Sequence, residues 1–145
     1  MKQQYPYLII GIDPGTHTGF AAWHPDTKTF IEIQTYKIYE ALQWIGRYST
    51  DPKQIFVIIE DARKRGGSIA AAQGAGSVKR DCNIWQETLE YLKIPYKFMR
   101  PKNTKIDAER FKLITGHTKR TSNHARDAAM LVYGLSKSQV NVWSK

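Results

Sequence analysis

Residues 7–23 read YLIIGIDPGTHTGFAAW, and this stretch decides the fold. The β-branched and apolar run from Tyr7 to Asp13 lies between a proline and a Pro-Gly turn, which is typical of a buried central strand. A second strand, from Gly19 to Trp23, follows after a short turn, so the two strands are expected to pair as a hairpin. The stretch therefore predicts the centre of a sheet, with Asp13 at the carboxyl end of its first strand.

The middle of the chain predicts alternating helices and strands. Residues 29–35 alternate as a third strand at a sheet edge, and residues 38–48 have the apolar spacing of a helix. Residues 55–60 form a continuous apolar run, as expected of a parallel strand covered on both faces. Residues 62–76, rich in Gly, Ala and cations, predict a mobile basic loop, and residues 78–93 carry the apolar stripe of a long helix.

The last third predicts one more strand and two helices. Residues 95–99 form a short strand, Asp107 can cap a helix that stops at Gly116, and Ser122 or Asn123 can cap a helix to about residue 136. The polar tail from residue 137 to 145 is expected to be loosely held. The whole order predicts one α/β domain over residues 1–145, with a mixed five-stranded sheet, its first three strands antiparallel, and helices on both faces.

Composition predicts a polyanionic partner. The 145 residues include 22 Lys and Arg against 13 Asp and Glu, a formal net charge of +9. Phosphate neutralisation supplies most non-specific affinity for nucleic acid, although such charge can also serve solubility alone. Cys82 is the one cysteine, which excludes an internal disulfide and a Cys-based zinc site and fits a reducing, cytoplasmic location. Neither a secretory signal nor an apolar run long enough to span a membrane is recognisable in the sequence.

Four residues predict a metal site. Asp13 and Glu60 each end an apolar strand, and in parallel neighbouring strands their carboxylates would emerge at the same end of the sheet, where ligands bind in open α/β sheets. His124 and Asp127 stand at i and i+3 on the last helix and therefore point the same way. Oxygen ligands of this kind suit Mg²⁺, and two ions could activate a water and stabilise a leaving 3′ oxygen.

These motifs resemble a known family. The Gly-Ile-Asp-Pro-Gly strand, the apolar strand ending in Glu60 and the late His-Ala-Arg-Asp-Ala-Ala helix look like the RuvC-type Holliday junction resolvases of the ribonuclease H-like superfamily, in their compact phage or prophage form. The resemblance implies that Asp13, Glu60, His124 and Asp127 are catalytic and metal-binding. It also implies Mg²⁺ as cofactor, with Mn²⁺ as a possible substitute, and cleavage of four-way and other branched DNA. Asp61 is a fifth candidate, but strand alternation sends it to the opposite face.

Partners follow from the same resemblance. A symmetric junction needs two matched incisions, so a homodimer is expected, with isologous contact through the helix of residues 78–93. Cellular resolvases of the family have an aromatic residue just beyond the strand-four Glu, whereas residues 62–65 of this chain read Ala-Arg-Lys-Arg, of which Arg63 could stack through its guanidinium plane. Candidate phosphate contacts flank the acids in sequence. They are Arg63, Lys64, Arg65, Lys79, Arg80, Lys102, Lys105, Lys119 and Arg120.

Three alternatives stay open at this level. A YqgF-like nuclease of the same superfamily would act on structured RNA. A silent module would bind junctions without cutting, although all four site residues are present. An actin-like phosphotransferase is suggested by the Asp13 to Gly19 hairpin, but that class needs two such domains and 145 residues hold one.

Overall fold

A computed structural model describes residues 6–61, 63, 69–101 and 105–143, without the side chains of residues 69–75 and 78. Within these ranges the sheet has five strands in the order β3-β2-β1-β4-β5. The first three strands pair antiparallel, and β4 and β5 add in parallel. The predicted mixed sheet is confirmed, with β3 at an edge. The strands are β1 (Leu8–Asp13), β2 (His17–His24), β3 (Thr29–Lys37), β4 (Ile55–Glu60) and β5 (Tyr96–Met99).

Helices cover both faces of the sheet, as predicted. Strand residues alternate in direction, so β1 sends Ile10 and Ile12 to one face and Ile9 to the other. The first face packs against α1 and α2, with Trp85 fully buried, and the second packs against α3, α4 and α5, with Phe111 buried. The helices are α1 (Ile38–Gly46), α2 (Ile69–Tyr91), α3 (Ala108–Thr115), α4 (Asn123–Val132) and α5 (Lys137–Trp143).

Capping residues begin and end the helices of the second face. Asp107 accepts a hydrogen bond from the Arg110 backbone N–H at 2.8 Å and begins α3, which ends at Gly116 in the left-handed conformation with φ 74°. Of the two candidate caps for α4, Ser122 is the one whose side chain accepts, from the Ala125 N–H at 3.0 Å. These caps satisfy backbone groups that a helix end leaves without partners.

The sequence predictions differ most from the structure in three regions. The helix α2 begins at Ile69, so residues 69–76 are helical and not part of a loop, because Ala and Gln are strong helix formers and outweigh the cost of the interspersed glycines. The helix α4 ends at Val132, short of residue 136, since Gly134 adopts φ 80°. Residues 137–143 form α5, and its Val140 is buried in the core, so this part of the tail is packed. Residues 62, 64–68, 102–104 and 144–145 lie outside the described ranges.

The helix α4 lies directly on the backbone of β1 and β2. A Cβ atom at Gly19 would stand 1.9 Å from the carbonyl oxygen of His124, and one at Gly11 would stand 2.1 Å from that of Ala128. No side chain fits at either contact, so glycine is required by the close approach and not by a turn. This packing brings the first turns of α4 to the carboxyl end of β1.

Candidate metal centre

Three carboxylates converge at the carboxyl end of the two central strands. Asp13 ends β1 and Glu60 ends β4, and the parallel register that pairs Ile12 with Ile59 brings the two strand ends level. Asp127 approaches from α4. Among the described residues these three acids form a group whose ligand oxygens all lie within 4.8 Å of one another. The structure thus brings Asp13, Glu60 and Asp127 together, and their catalytic and metal-binding roles stay predictions.

Burial makes this carboxylate cluster electrostatically costly. Asp13 and Glu60 are only 6% and 2% exposed. Burial, a hydrogen bond with Glu60 and the negative charges of Glu60 and Asp127 together raise the pKa of Asp13 to about 8, against the opposing charge of Lys105. The cluster therefore retains a proton on Asp13 near neutral pH.

The donor set fits a hard divalent cation. Mg²⁺ and Mn²⁺ take oxygen ligands, and a bound cation would replace the Asp13 proton and offset the repulsion among the three carboxylates. Asp13, Glu60 and Asp127 are the residues that would hold it. Three carboxylates leave further positions for water or phosphate oxygens, because Mg²⁺ prefers six ligands in an octahedral arrangement.

The side chain of Lys105 contacts two of the three acids. Its Nζ atom is 2.8 Å from Glu60 Oε1 and 3.3 Å from Asp127 Oδ2. Burial lowers the pKa of Lys105, but the hydrogen bonds and charges of Glu60 and Asp127 outweigh this effect, and the pKa is raised overall. From the sequence, Lys105 is expected only among the phosphate contacts, since nothing in its local pattern shows that its segment returns to the strand ends.

His124 contacts the cluster through one acid. Its Nδ1 atom lies 3.0 Å from Asp13 Oδ2, and its side chain is 52% exposed. His124 is outside the group of three acids that share the 4.8 Å limit. Its position suits holding the Asp13 carboxylate or exchanging a proton with it, and its predicted role as a metal ligand stays a prediction.

Arg126 anchors the segments that flank the cluster, and sequence reasoning missed it. The residue is 7% exposed, and its guanidinium donates to the carbonyl oxygen of Thr121 at 2.7 Å and to that of Ile106 at 3.4 Å. It also donates to the side chain of Asn123. A buried arginine on α4 therefore ties down both the chain entering α4 and the residue next to Lys105. An arginine two positions after His124 was the only available signal.

Asp61, the fifth candidate, belongs to a separate contact. Its Oδ1 atom lies 2.8 Å from Arg63 Nε, and the Arg63 guanidinium carbon lies 4.5 Å from the centre of the Phe98 ring. Arg63 also donates to Asn83 Oδ1 at 3.2 Å. Within the chain, the Arg63 guanidinium thus lies over Phe98, and its predicted stacking on junction bases stays a prediction. Contact with DNA by Arg63 stays a prediction.

The remaining cations stay predicted phosphate contacts. Lys79, Arg80, Lys119 and Arg120 are exposed, as a phosphate contact requires, but so are most surface lysines and arginines. Arg80 stands 3.8 Å from the carboxylate of Asp81. The other three candidates lie outside the described residues: Lys64, Arg65 and Lys102.

The raised pKa of Asp13 predicts a pH dependence of stability without metal. The unfolded chain releases this proton near the ordinary value of 3.8, whereas the folded chain keeps it up to about 8. The folded state binds more protons in that window, so the contribution of Asp13 to the free energy of unfolding falls as the pH rises.

Urea unfolding of chelator-treated protein at pH 5 and pH 8 measures this effect. Asp13→Asn, which cannot titrate, should lose less stability than the wild type over this range. Equal losses in the two proteins would contradict the assignment of the proton to Asp13.

The strand order, the helices on both faces and the acids at the ends of the central strands together define the ribonuclease H-like nuclease fold. The particular fold is that of RuvC. The chain is similar to Thermus thermophilus RuvC in complex with a Holliday junction substrate, with a TM-score of 0.55 and 16% identity over 88% of this chain and 91% of that chain. A second Thermus thermophilus RuvC structure gives 18% identity and a TM-score of 0.44, over 94% of this chain and 97% of that chain.

The predicted resemblance to RuvC-type enzymes is confirmed for the fold. Neither a protein-family model nor a curated protein sequence matches the chain. Within the described ranges, every helix is too short or too polar to pass through a lipid bilayer.

Proposed function

We propose that this chain is a metal-dependent, structure-selective endodeoxyribonuclease. Its substrates would be four-way Holliday junctions and other branched DNA, cut by phosphodiester hydrolysis during recombination, repair or phage DNA processing. The observation that carries the proposal is the convergence of Asp13, Glu60 and Asp127 within 4.8 Å on a RuvC-like fold. A similar fold is known with a Holliday junction bound, which supports branched double-stranded DNA as the partner.

The three acids would hold the metal cofactor, and the neighbouring residues would make the acids ready to bind it. Divalent ions, Mg²⁺ or in its place Mn²⁺, and two per site, would supply Lewis acidity and an activated water. As a metal ligand, Asp13 would give up its proton, and His124 at 3.0 Å would be placed to accept it or pass it on. Because Asp13 and Glu60 are buried, bulk water has little access to their carboxylates. Both carboxylates are therefore held in place before the substrate arrives.

Charge supports a DNA substrate. The net charge of +9 attracts a polyanion to a centre that is itself negative, so the surrounding cations must offset the repulsion between carboxylates and phosphates. Lys79, Arg80, Lys119 and Arg120 are exposed and are proposed phosphate contacts. Work on such DNA would take place in the cytoplasm of a bacterium or a phage-infected cell.

A homodimer follows from the proposed reaction. A four-way junction needs two symmetric incisions, and the chain has one carboxylate cluster within its described residues. We propose a two-fold dimer with isologous contact through residues 78–93, which lie within α2 and just after it. Sedimentation should show a dimer on junction DNA, whereas a strict monomer with and without DNA would contradict this part of the proposal.

The decisive experiment compares nucleic-acid substrates. Labelled four-way, three-way and linear DNA and a structured RNA are incubated with the protein, with and without Mg²⁺. We expect cleavage of the four-way junction, dependent on Mg²⁺ and much faster than cleavage of linear DNA. Preferred cleavage of the RNA would favour a YqgF-like activity, and tight junction binding without nicking in any divalent metal would indicate a binding module.

A further inference from the structure

The ammonium of Lys105 lies on two of the three acids that would hold a metal. Its Nζ atom contacts Glu60 Oε1 at 2.8 Å and Asp127 Oδ2 at 3.3 Å, and both acids belong to the group of three. Mg²⁺ coordinates oxygen ligands at about 2.0 to 2.1 Å. An ammonium on the same two oxygens would then lie within a few ångströms of the ion, and like charges at that separation repel strongly in a partly buried site. The two cations therefore exclude each other.

The side chain of Lys105 is able to leave while its backbone stays. It is 42% exposed, on a flexible four-carbon stem, so a path to solvent is open. The backbone beside it is anchored, because the Ile106 carbonyl accepts from Arg126 and Asp107 caps α3. Because its backbone is fixed and its ammonium can move, Lys105 is suited to exchange places with a metal ion.

We propose that Lys105 is an exchangeable counter-cation of the metal centre, an inference that rests on the proposed function. In the metal-free protein its ammonium stabilises the clustered carboxylates. When a divalent ion binds, the ammonium leaves Glu60 and Asp127 for solvent. Part of the binding free energy of the metal is used to displace it, so Lys105 lowers the apparent affinity for the ion while it stabilises the metal-free fold.

The test is a metal titration of chelator-treated, full-length protein. Lys105→Met removes the charge at similar length, and its apparent Kd for Mn²⁺ should be about tenfold lower than that of the wild type, the factor that corresponds to about 1.4 kcal/mol for one displaced charge-assisted contact. Lys105→Arg keeps the charge and should stay near the wild-type value. Electron paramagnetic resonance of free Mn²⁺ measures binding directly, without reference to cleavage.

Lys53→Met is the matched control. Lys53 is exposed and precedes β4, whereas Glu60 ends that strand, about 20 Å away along it. The variant loses the same charge, but at a distance where salt screens its electrostatic effect on the carboxylate cluster. Its Kd for Mn²⁺ should therefore not change. Thermal unfolding adds a second comparison, in which Lys105→Met is less stable than the wild type without metal but gains more from Mn²⁺.

Labelling of wild-type protein tests the same exchange without a variant. Reductive methylation of Lys105, followed by mass spectrometry, should be slow in chelator and faster when Mn²⁺ is present. An unchanged or weaker Kd for Lys105→Met, or labelling that Mn²⁺ does not accelerate, would overturn the inference and leave the proposed nuclease intact. Absence of Mn²⁺ binding in every protein would overturn the metal centre and the inference together.

Discussion

Asp13→Asn is expected to abolish metal-dependent cleavage, with a loss of roughly a thousandfold or more. The amide keeps the shape of the side chain but removes the charge from the residue at the centre of the site, which lies beside Glu60, Asp127 and His124. It also removes the acid whose pKa is raised to about 8 by burial and by the neighbouring carboxylates. The metal-free variant should therefore be at least as stable as the wild type at pH 8, so lost activity cannot be attributed to unfolding.

Junction binding separates catalysis from recognition in this variant. Removal of a carboxylate beside the phosphate path should leave the Kd for a four-way junction unchanged or lower. Single-turnover cleavage and a gel-shift titration on the same labelled junction measure the two effects. Asp26→Asn, an exposed change in the turn between β2 and β3, is the control and should cut normally. Retained cleavage in Asp13→Asn would mean that the acids are structural.

Gly19→Ala is expected to reduce both stability and activity. The new Cβ atom would stand 1.9 Å from the backbone oxygen of His124, and a backbone atom cannot rotate away as a side chain can. The start of α4 must move, at a cost of about 2 to 4 kcal/mol in the free energy of unfolding. The shift separates His124 and Asp127 from Asp13, and a displacement of about 1 Å at such a site can cost on the order of a hundredfold in rate.

Urea unfolding and cleavage assays on folded Gly19→Ala measure these two losses. Gly46→Ala is the matched control, because nothing lies within 4 Å of the position that a Cβ atom would take there, and alanine is the better helix former at the end of α1. It should be neutral or slightly stabilising. A Gly19→Ala protein as stable as the wild type would contradict the close packing of α4 on the sheet.

Local patterns were sufficient for the sheet. Apolar runs and short turns predicted all five strands, within one or two residues at most ends. A continuous apolar run bounded by turn residues is typical of a strand that is buried on both faces of a sheet. The start of α2 was missed, since glycine and cation content masked the helix-forming alanines. The tail was missed because Val140 and Trp143 become apolar anchors only when a sheet face is there to receive them.

Four residues predicted for the site are neighbours, but their contacts were not predictable. Sequence placed Asp13 and Glu60 at strand ends, and His124 and Asp127 on one face of a helix. Which acids share a ligand group, and that His124 reaches Asp13, depends on how α4 is set on β1 and β2. Glycine inside a strand is a known signal of close backbone approach, but it does not say which element approaches.

By itself, the sequence determined the α/β class, the order of the strands along the chain, the excess of positive charge and the acids at the ends of elements. Each of these depends on neighbours within a few residues, where periodicity and turn chemistry act. Only the tertiary structure decided that Lys105 reaches Glu60 and Asp127 and that Arg126 anchors the segments around them. Those contacts join residues about 20 to 45 positions apart, where local periodicity and turn chemistry carry no information.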